Sequence, residues 1–431
     1  MRPRTWVLVL AAVFALFQLA NVTGRDTPDT KNYLAYALSL TGESKREAAA
    51  AVIDHFCASR AARARRDQSV HVVRFHRPDP TDRVTADCRE EQWRLVETRL
   101  ADGQTAGRTV PFMPERFMQI FEVRPGYPVL LAPFVAVLGV TWGVWAVSVL
   151  VAVAGGVLVF LILRTLSVAV PLALTGQALY YVLPCGTTAM RPMTEGLMMA
   201  LTLAAVWGCA LVLRGRRVRA GVALVGGALV VLFTVKHSQS LFLGVCLGVA
   251  GTVLALRRRG RGRPAGPGVW AVAGTGLAVA VGTLLLARLL HYPSMSESVQ
   301  DLLTDHFDRP DRERPWREFW QLQGNFWLEW LRRQLGEPVL VAALAAGAWG
   351  AVRRPAFGGF LIAAACTGFL TQAGHPDINI WGERLIVLVW LLPVVGVPLL
   401  LEAVVRGGPA DRSPVAAPYP TTAGQSLSSN R

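Results

Sequence analysis

The sequence predicts an all-α polytopic membrane protein, and three observations carry that prediction. The 431-residue chain is 52% hydrophobic, with a mean hydropathy of +0.38, too apolar for a soluble globule of this size. Many of its apolar runs reach the roughly 20 residues that a helix needs to cross a bilayer. Its arginines gather in short clusters between those runs: Arg214, Arg216, Arg217 and Arg219; Arg257 to Arg259, Arg261 and Arg263; Arg353 and Arg354. Cytoplasmic loops carry this pattern under the positive-inside rule. The net charge of +15 is thereby assigned to membrane topology, and no nucleic-acid partner is expected. The chain has three lysines, Lys31, Lys45 and Lys236, a bias expected of a GC-rich bacterial genome.

The first apolar run, 5–22, follows Arg2 and Arg4. Charge followed by an apolar core also describes a signal peptide. The core is long for one, and no small-x-small site precedes Asp26, so the run is read as an uncleaved span with a cytoplasmic N-terminus. Residues 23–126 then form a large first extracytoplasmic loop. Within it, 44–66 and 87–99 read as helical, Val70–Phe75 alternates weakly and reads as extended, and 101–111 reads as a loop. Cys57 and Cys88 both fall in this segment, and an oxidising compartment makes a disulfide between them the expectation. The other four cysteines lie in or beside apolar runs and read as small hydrophobes; no spacing suggests zinc.

Four apolar runs follow, at 127–141, 143–163, 166–184 and 192–213. If all four crossed, the Arg214–Arg219 cluster would face outside. The run 127–141 is short for a span, so it is read as a re-entrant or surface helix. The remaining spans become 219–235, 238–256, 268–290, 338–352, 356–373 and 384–405, about ten crossings in all. This places all three arginine clusters and the C-terminus in the cytoplasm. A single transmembrane domain, 1–405, precedes a Pro/Ser/Thr/Gly-rich tail, 406–431, expected to be disordered. A second large outer loop, 291–338, carries Trp316, Trp320, Trp327 and Trp330 among charges, as an interfacial amphipathic stretch does.

The same topology gathers ionisable residues at the outer ends of the spans. They are Asp26, Asp29, Glu122, Arg124, Arg191, Glu195, Lys236, His237, His375, Asp377, Glu383 and Arg384. Charge beside a bilayer is costly and marks a functional site by default. Carboxylates act as general bases, and cations hold a phosphate leaving group. Blander roles are open to the same residues. Asp29 serves as a helix cap, and Lys236 snorkels to the interface. Tyr33 lies four residues beyond Asp29, so the two share a face if a helix starts there.

These residues carry a resemblance. Asp29-Thr-Lys-Asn-Tyr33-Leu-Ala-Tyr-Ala-Leu resembles the D-E-x-x-Y-x-x-x-A start of the first outer loop in the C-type (GT-C) superfamily of integral-membrane glycosyltransferases. That superfamily includes the polyprenyl-phosphate-sugar-dependent mannosyltransferases and aminoarabinose transferases. Arg124-Pro125-Gly126-Tyr127-Pro128-Val-Leu-Leu-Ala resembles its R-P-P-L-Y-P-L-L-A segment, Thr194-Glu195-Gly-Leu its T-E-P-L, and Glu383-Arg384-Leu its E-R-Y. Lys236 stands where the family often has Arg or Lys. The match covers most of residues 5–400. The chain departs from the pattern at Thr30, Gly126 and Leu385.

The resemblance implies a GT-C-like bundle in the cytoplasmic (inner) membrane, with its active site facing outside. The donor would be a sugar on a polyprenyl phosphate, and the acceptor a hydroxyl of a glycan, lipid or protein. Asp29 would be the general base and Asp26 an auxiliary acid replacing the one missing at Thr30. Tyr33 would place the helix behind Asp29. Lys236 and Arg384 would hold the departing lipid phosphate, with Arg191, His237, Arg124 and Tyr127 on the substrate side; Glu195 and Glu122 would orient sugar or cationic groups. No cofactor is required by such a mechanism, and a divalent cation is left open. Two other functions compete: a transporter or lipid-carrier flippase, and a catalytically silent GT-C-fold protein of envelope assembly. Transporters place charges near the midplane and carry internal repeats; here the charges lie at the outer ends and no repeat is found.

Overall fold

The computed structural model describes residues 2–215, 217–264, 266–379 and 384–406. Among them every regular element is helical. The first span is α1 (Pro3–Gln18). The first long polar segment folds as α2 (Pro28–Leu40), α3 (Lys45–Ser69), α4 (Thr81–Ala101) and α5 (Glu115–Glu122). The chain continues through α6 (Gly126–Thr165), α7 (Val170–Val182), α8 (Pro184–Ala189), α9 (Thr194–Arg214), α10 (Val218–Gly260) and α11 (Pro267–Leu289). It ends with α12 (Met295–Leu303), α13 (Pro315–Gly336), α14 (Val339–Val352), α15 (Pro355–Gly374) and α16 (Leu391–Arg406). Six helices are long and apolar enough to cross a membrane, or seven if the bent pair α13–α14 counts as one.

Two of the six are each two helices. In α10, Lys236 leaves helical geometry at φ −160°, ψ 92°, and the Ser240 hydroxyl donates to the Leu229 carbonyl at 2.8 Å. Eleven residues of straight helix would separate those atoms by roughly 16 Å, so the chain reverses at Lys236. In α6 the break is at Gly139, with φ 73°, which glycine adopts without a Cβ penalty. A Cβ at Gly143 would lie 2.8 Å from the Phe134 carbonyl carbon, so the chain reverses there too. The segment before Gly139 rises only about 20 Å, in keeping with the re-entrant reading of 127–141.

Small residues let these helices approach closely, as in other bilayer-type packing. A Cβ on Gly208 would sit 2.6 Å from the Gly221 carbonyl, and one on Gly244 would sit 2.7 Å from that of Gly276. The α9–α10 and α10–α11 crossings therefore depend on glycine.

The bundle has two chemically distinct ends. Arg214 bonds the turn after α6 at Thr165, and a Cβ at Gly268 would meet Val212 and Val218 at 2.8 Å. The first two arginine links thus share one end. Helix α9 carries Glu195 in its first turn and Arg214 at its end, about 30 Å apart along the axis, so Glu195 lies at the other. The two long polar segments meet each other: Arg116 of α5 bonds Glu297 of α12 at 2.7 Å and Asp311 at 2.8 Å. Helix α13 bends 88° from α14, bonds the Ala373 carbonyl through Gln323, and exposes Trp316 and Trp320. A helix turned across the bundle with exposed indoles suits the headgroup layer.

The first long polar segment is built as the sequence suggests, with one correction. Ser44 and Glu47 close a capping box on α3, and Cys57 and Cys88 form a disulfide between α3 and α4, Cα to Cα 5.6 Å. Val70–Phe75, read as extended, is a series of turns, with Arg74 and Phe75 N–H groups both donating to the His71 carbonyl. No partner strand lies beside it among the described residues, so turns satisfy its backbone groups instead. Of the tail expected at 406–431, Arg406 ends α16, and 407–431 lie outside the described residues.

Candidate functional site

Helix α2 sets the first wall of the site. Thr27 is its N-cap, and Thr27 and Thr30 close a capping box. The Thr27 N–H donates to the Thr30 hydroxyl at 2.9 Å, and that hydroxyl donates to the Pro192 carbonyl at 3.1 Å. The residue that departs from the acidic pattern therefore holds the helix start against the α8–α9 link. The cap is Thr27, so Asp29, in the first turn, is released from the capping role that its position suggested.

Asp29 instead meets Arg384, whose guanidinium bonds its carboxylate. The Arg384 Nε also reaches Glu195 at 3.4 Å. Glu195 lies in the first turn of α9 with its side chain only 2% exposed; it accepts from the Thr194 hydroxyl at 3.1 Å. Lys236 Nζ stands 3.7 Å from the same carboxylate. The reversal at Lys236 is what aims this cation inward: its side chain is 10% exposed, not extended to an interface. Four residues from α2, α9, the turn of α10 and the segment after α15 thus form one charged cluster. Each carboxylate lies near the positive end of its helix dipole, and each is met by a cation, without which burial would be prohibitive.

Behind Asp29 stands Tyr33, fully buried, edge-on to Phe121 at 5.2 Å and to Tyr127 at 5.6 Å. Arg124 donates to the Tyr33 hydroxyl at 3.4 Å, and its buried Nε has no partner among the described residues. Among the described residues, Arg124 adds a third cation beside Lys236 and Arg384 to the two carboxylates of the cluster. Burial pulls the Arg384 guanidinium down, but Asp29 and Glu195 more than reverse this and hold it above its ordinary value. Burial also raises the Tyr33 phenol, so both groups keep their protons.

Other expected residues lie elsewhere. Asp26 does not supply a second acid beside Asp29; its carboxylate pairs with His55 Nε2 at 3.2 Å, and the far side of that imidazole meets the Thr141 hydroxyl at 3.4 Å. Burial pushes Asp26 up, yet the bond and charge of His55 hold it below the usual carboxylate range. Glu122 is spent on the loop before α5, accepting from the Arg108 and Thr109 N–H groups at 2.9 and 2.7 Å and from the Thr109 hydroxyl at 2.6 Å. His237 packs edge-on against Tyr292 at 5.3 Å. Arg191 lines a separate cleft with Arg25 and Arg63. Glu383 lies outside the described residues. His55 was missed in the sequence; its only local mark is a histidine on a helix otherwise rich in alanine and arginine.

The cluster combines a carboxylate able to take a proton, a second carboxylate that fixes two cations, and cations able to meet developing negative charge. Compared with known proteins, the chain matches no family model, no curated protein and no solved structure.

Proposed function

We propose that the protein is a glycosyltransferase that moves a sugar from a polyprenyl-phosphate donor to an acceptor hydroxyl outside the cytoplasmic membrane. One observation carries this reading: Asp29, Glu195, Lys236 and Arg384, chosen from four distant stretches, converge on one cluster. A GT-C-like bundle of about ten crossings is part of the proposal. It counts the two arms of α10 separately and takes α7, α14 and α16 as short spans. The arginine links then face the cytoplasm together with both termini, and the cluster faces outside.

In this reading each carboxylate of the cluster rests on a cation. Donor phosphate draws Arg384 and Lys236 to itself, and Arg384 leaves Asp29. Asp29 then takes the proton of the acceptor hydroxyl as its oxygen attacks the anomeric carbon. The bond from that carbon to the phosphate oxygen breaks with its electron pair, and the cations meet the charge that develops. Single displacement inverts the anomeric centre. Glu195 acts through the two cations that it positions.

A break at a buried lysine also suits a transporter, whose discontinuous helices meet near the midplane. Here the arms on either side of Lys236 rise roughly 27 and 36 Å, long enough to cross, so the break is a hairpin turn at one end. The test is release of polyprenyl phosphate from labelled donors in membranes that contain the protein. Acceptor-dependent release supports transfer. Movement of intact donor across the bilayer without cleavage would establish a flippase, and neither would leave an assembly scaffold.

A further inference from the structure

A second charged site lies apart from the cluster just described. A cleft of about 570 Å³ opens between the end of α1, the link to α2, α3, and the α7–α8 corner. Its deep wall is apolar: Phe14 of α1 stacks on Tyr181 of α7 at 4.4 Å between centroids. Its upper wall is cationic, carrying Arg25, Arg63 and Arg191. The carboxylate that lines it, Asp26, is 8% exposed and already paired with His55 at 3.2 Å. Arg63 uses one nitrogen on the Asp26 main-chain carbonyl, at 3.1 Å, and makes no ion pair among the described residues. Arg25 makes no ion pair among the described residues. It sits against another cation, Arg66, and burial and that neighbour both draw its guanidinium below its ordinary value.

Arg25 is half-buried, Arg63 and Arg66 stand exposed around it, and among the described residues no anion meets any of the three; a bound anion would relieve that repulsion and the cost of burying Arg25. The geometry adds a direction. Phe14 and Gln18 belong to the span α1, whereas Arg25 and Arg63 belong to the polar segment beyond it. The cleft is therefore oily where the bilayer would be and cationic at its edge. Guanidinium groups in this setting select phosphate by charge-assisted, forked hydrogen bonds.

We propose that this cleft binds a phosphate monoester carrying an apolar chain, with the phosphate on Arg25 and Arg63 and the chain against Phe14 and Tyr181. The inference does not rest on the transfer reading. A chain bound there would lie on the far side of the Thr27–Pro28 turn from Asp29, since both turn residues line the cleft.

The test uses the purified full chain in detergent micelles doped with dioleoyl phosphatidic acid or dioleoyl phosphatidylcholine, with retained lipid counted by native mass spectrometry. Phosphatidic acid is retained at least tenfold more tightly than phosphatidylcholine. Arg25→Gln and Arg63→Gln each weaken that retention about tenfold, the loss expected of one charge-assisted hydrogen bond. Arg25 makes no hydrogen bond among the described residues, so its variant tests the site even if Arg63→Gln unfolds. Arg94→Gln, at an exposed arginine of α4 that does not line the cleft, leaves retention unchanged. Equal retention of the two lipids, no effect of Arg25→Gln, or displacement by inorganic phosphate as effective as by phosphatidic acid overturns the proposal. A loss confined to Lys236→Ala also overturns it, by moving the lipid to the other cluster.

Discussion

Arg384 bonds the carboxylate of Asp29 across 355 residues of sequence. The contact joins the start of the first long polar segment to the segment that precedes α16. It gives a carboxylate at the edge of an apolar bundle a cation to meet, and it ties the closing of the fold to the assembly of the site.

Thr27 and Asp29 separate under substitution. Thr27→Ala removes the capping box and lowers stability by about 1 kcal/mol. Asp29→Ala leaves that box intact and removes the pair with Arg384 instead, so its loss largely disappears when Arg384→Gln is already present, whereas the loss of Thr27→Ala does not. Thermal unfolding of the single and double variants in one detergent checks this; an Asp29→Ala loss undiminished beside Arg384→Gln would return the capping role to Asp29.

Lys236→Ala leaves the buried Glu195 with Arg384 alone. Removal of one partner from a buried pair typically costs about 3–5 kcal/mol. Lys236→Arg keeps the charge and loses far less. The double variant Lys236→Met/Glu195→Leu recovers most of the single-variant loss. Non-additivity in the cycle measures the coupling, and an unaltered unfolding midpoint in Lys236→Ala would place the lysine at the interface instead.

The Cys57–Cys88 bond closes a sequence separation of 31 residues. In the chain-entropy view a loop of that length stabilises by about 3–4 kcal/mol. Cys57→Ser/Cys88→Ser should lower the unfolding midpoint of the outer segment, and mass spectrometry of the unreduced wild type should find neither thiol free.

His375 follows α15 and is half-buried, and loss of hydration there pulls its imidazole down to about 4. The folded state therefore keeps it neutral where the unfolded chain binds a proton. The unfolded state holds more protons below its own value near 6.5, so stability falls as pH drops from there toward 4 and levels off below. His375→Gln should flatten that part of the stability profile. An unchanged slope would assign the acid sensitivity to other groups.

Much of this arrangement was legible because bilayer chemistry restricts where charge can sit. The shortness of 127–141 and the lone lysine at 236 both marked chain reversals, since neither a short apolar run nor a mid-run cation suits a continuous span. Pairings across tertiary space were not legible. Nothing near Asp26 in sequence points to His55, 29 residues on, and Glu122 gives no local sign that it holds the Arg108–Thr109 turn. Thr30 read as a missing acid because only the α2 backbone shows that its hydroxyl belongs to a cap. Val70–Phe75 misled because weak alternation marks a strand only when a partner is there to pair with it.

The general base is the central claim, and the rate of transfer from a polyprenyl-phosphate donor by Asp29→Asn and Asp26→Asn, at matched amounts of folded protein, tests it most directly. Loss of a general base typically costs roughly 10²–10⁴ in rate, so Asp29→Asn falls by that factor while donor binding persists. Asp26→Asn, which disturbs a pair with His55 away from the cluster, falls by less. Full activity in Asp29→Asn, or the larger loss in Asp26→Asn, would contradict the assignment.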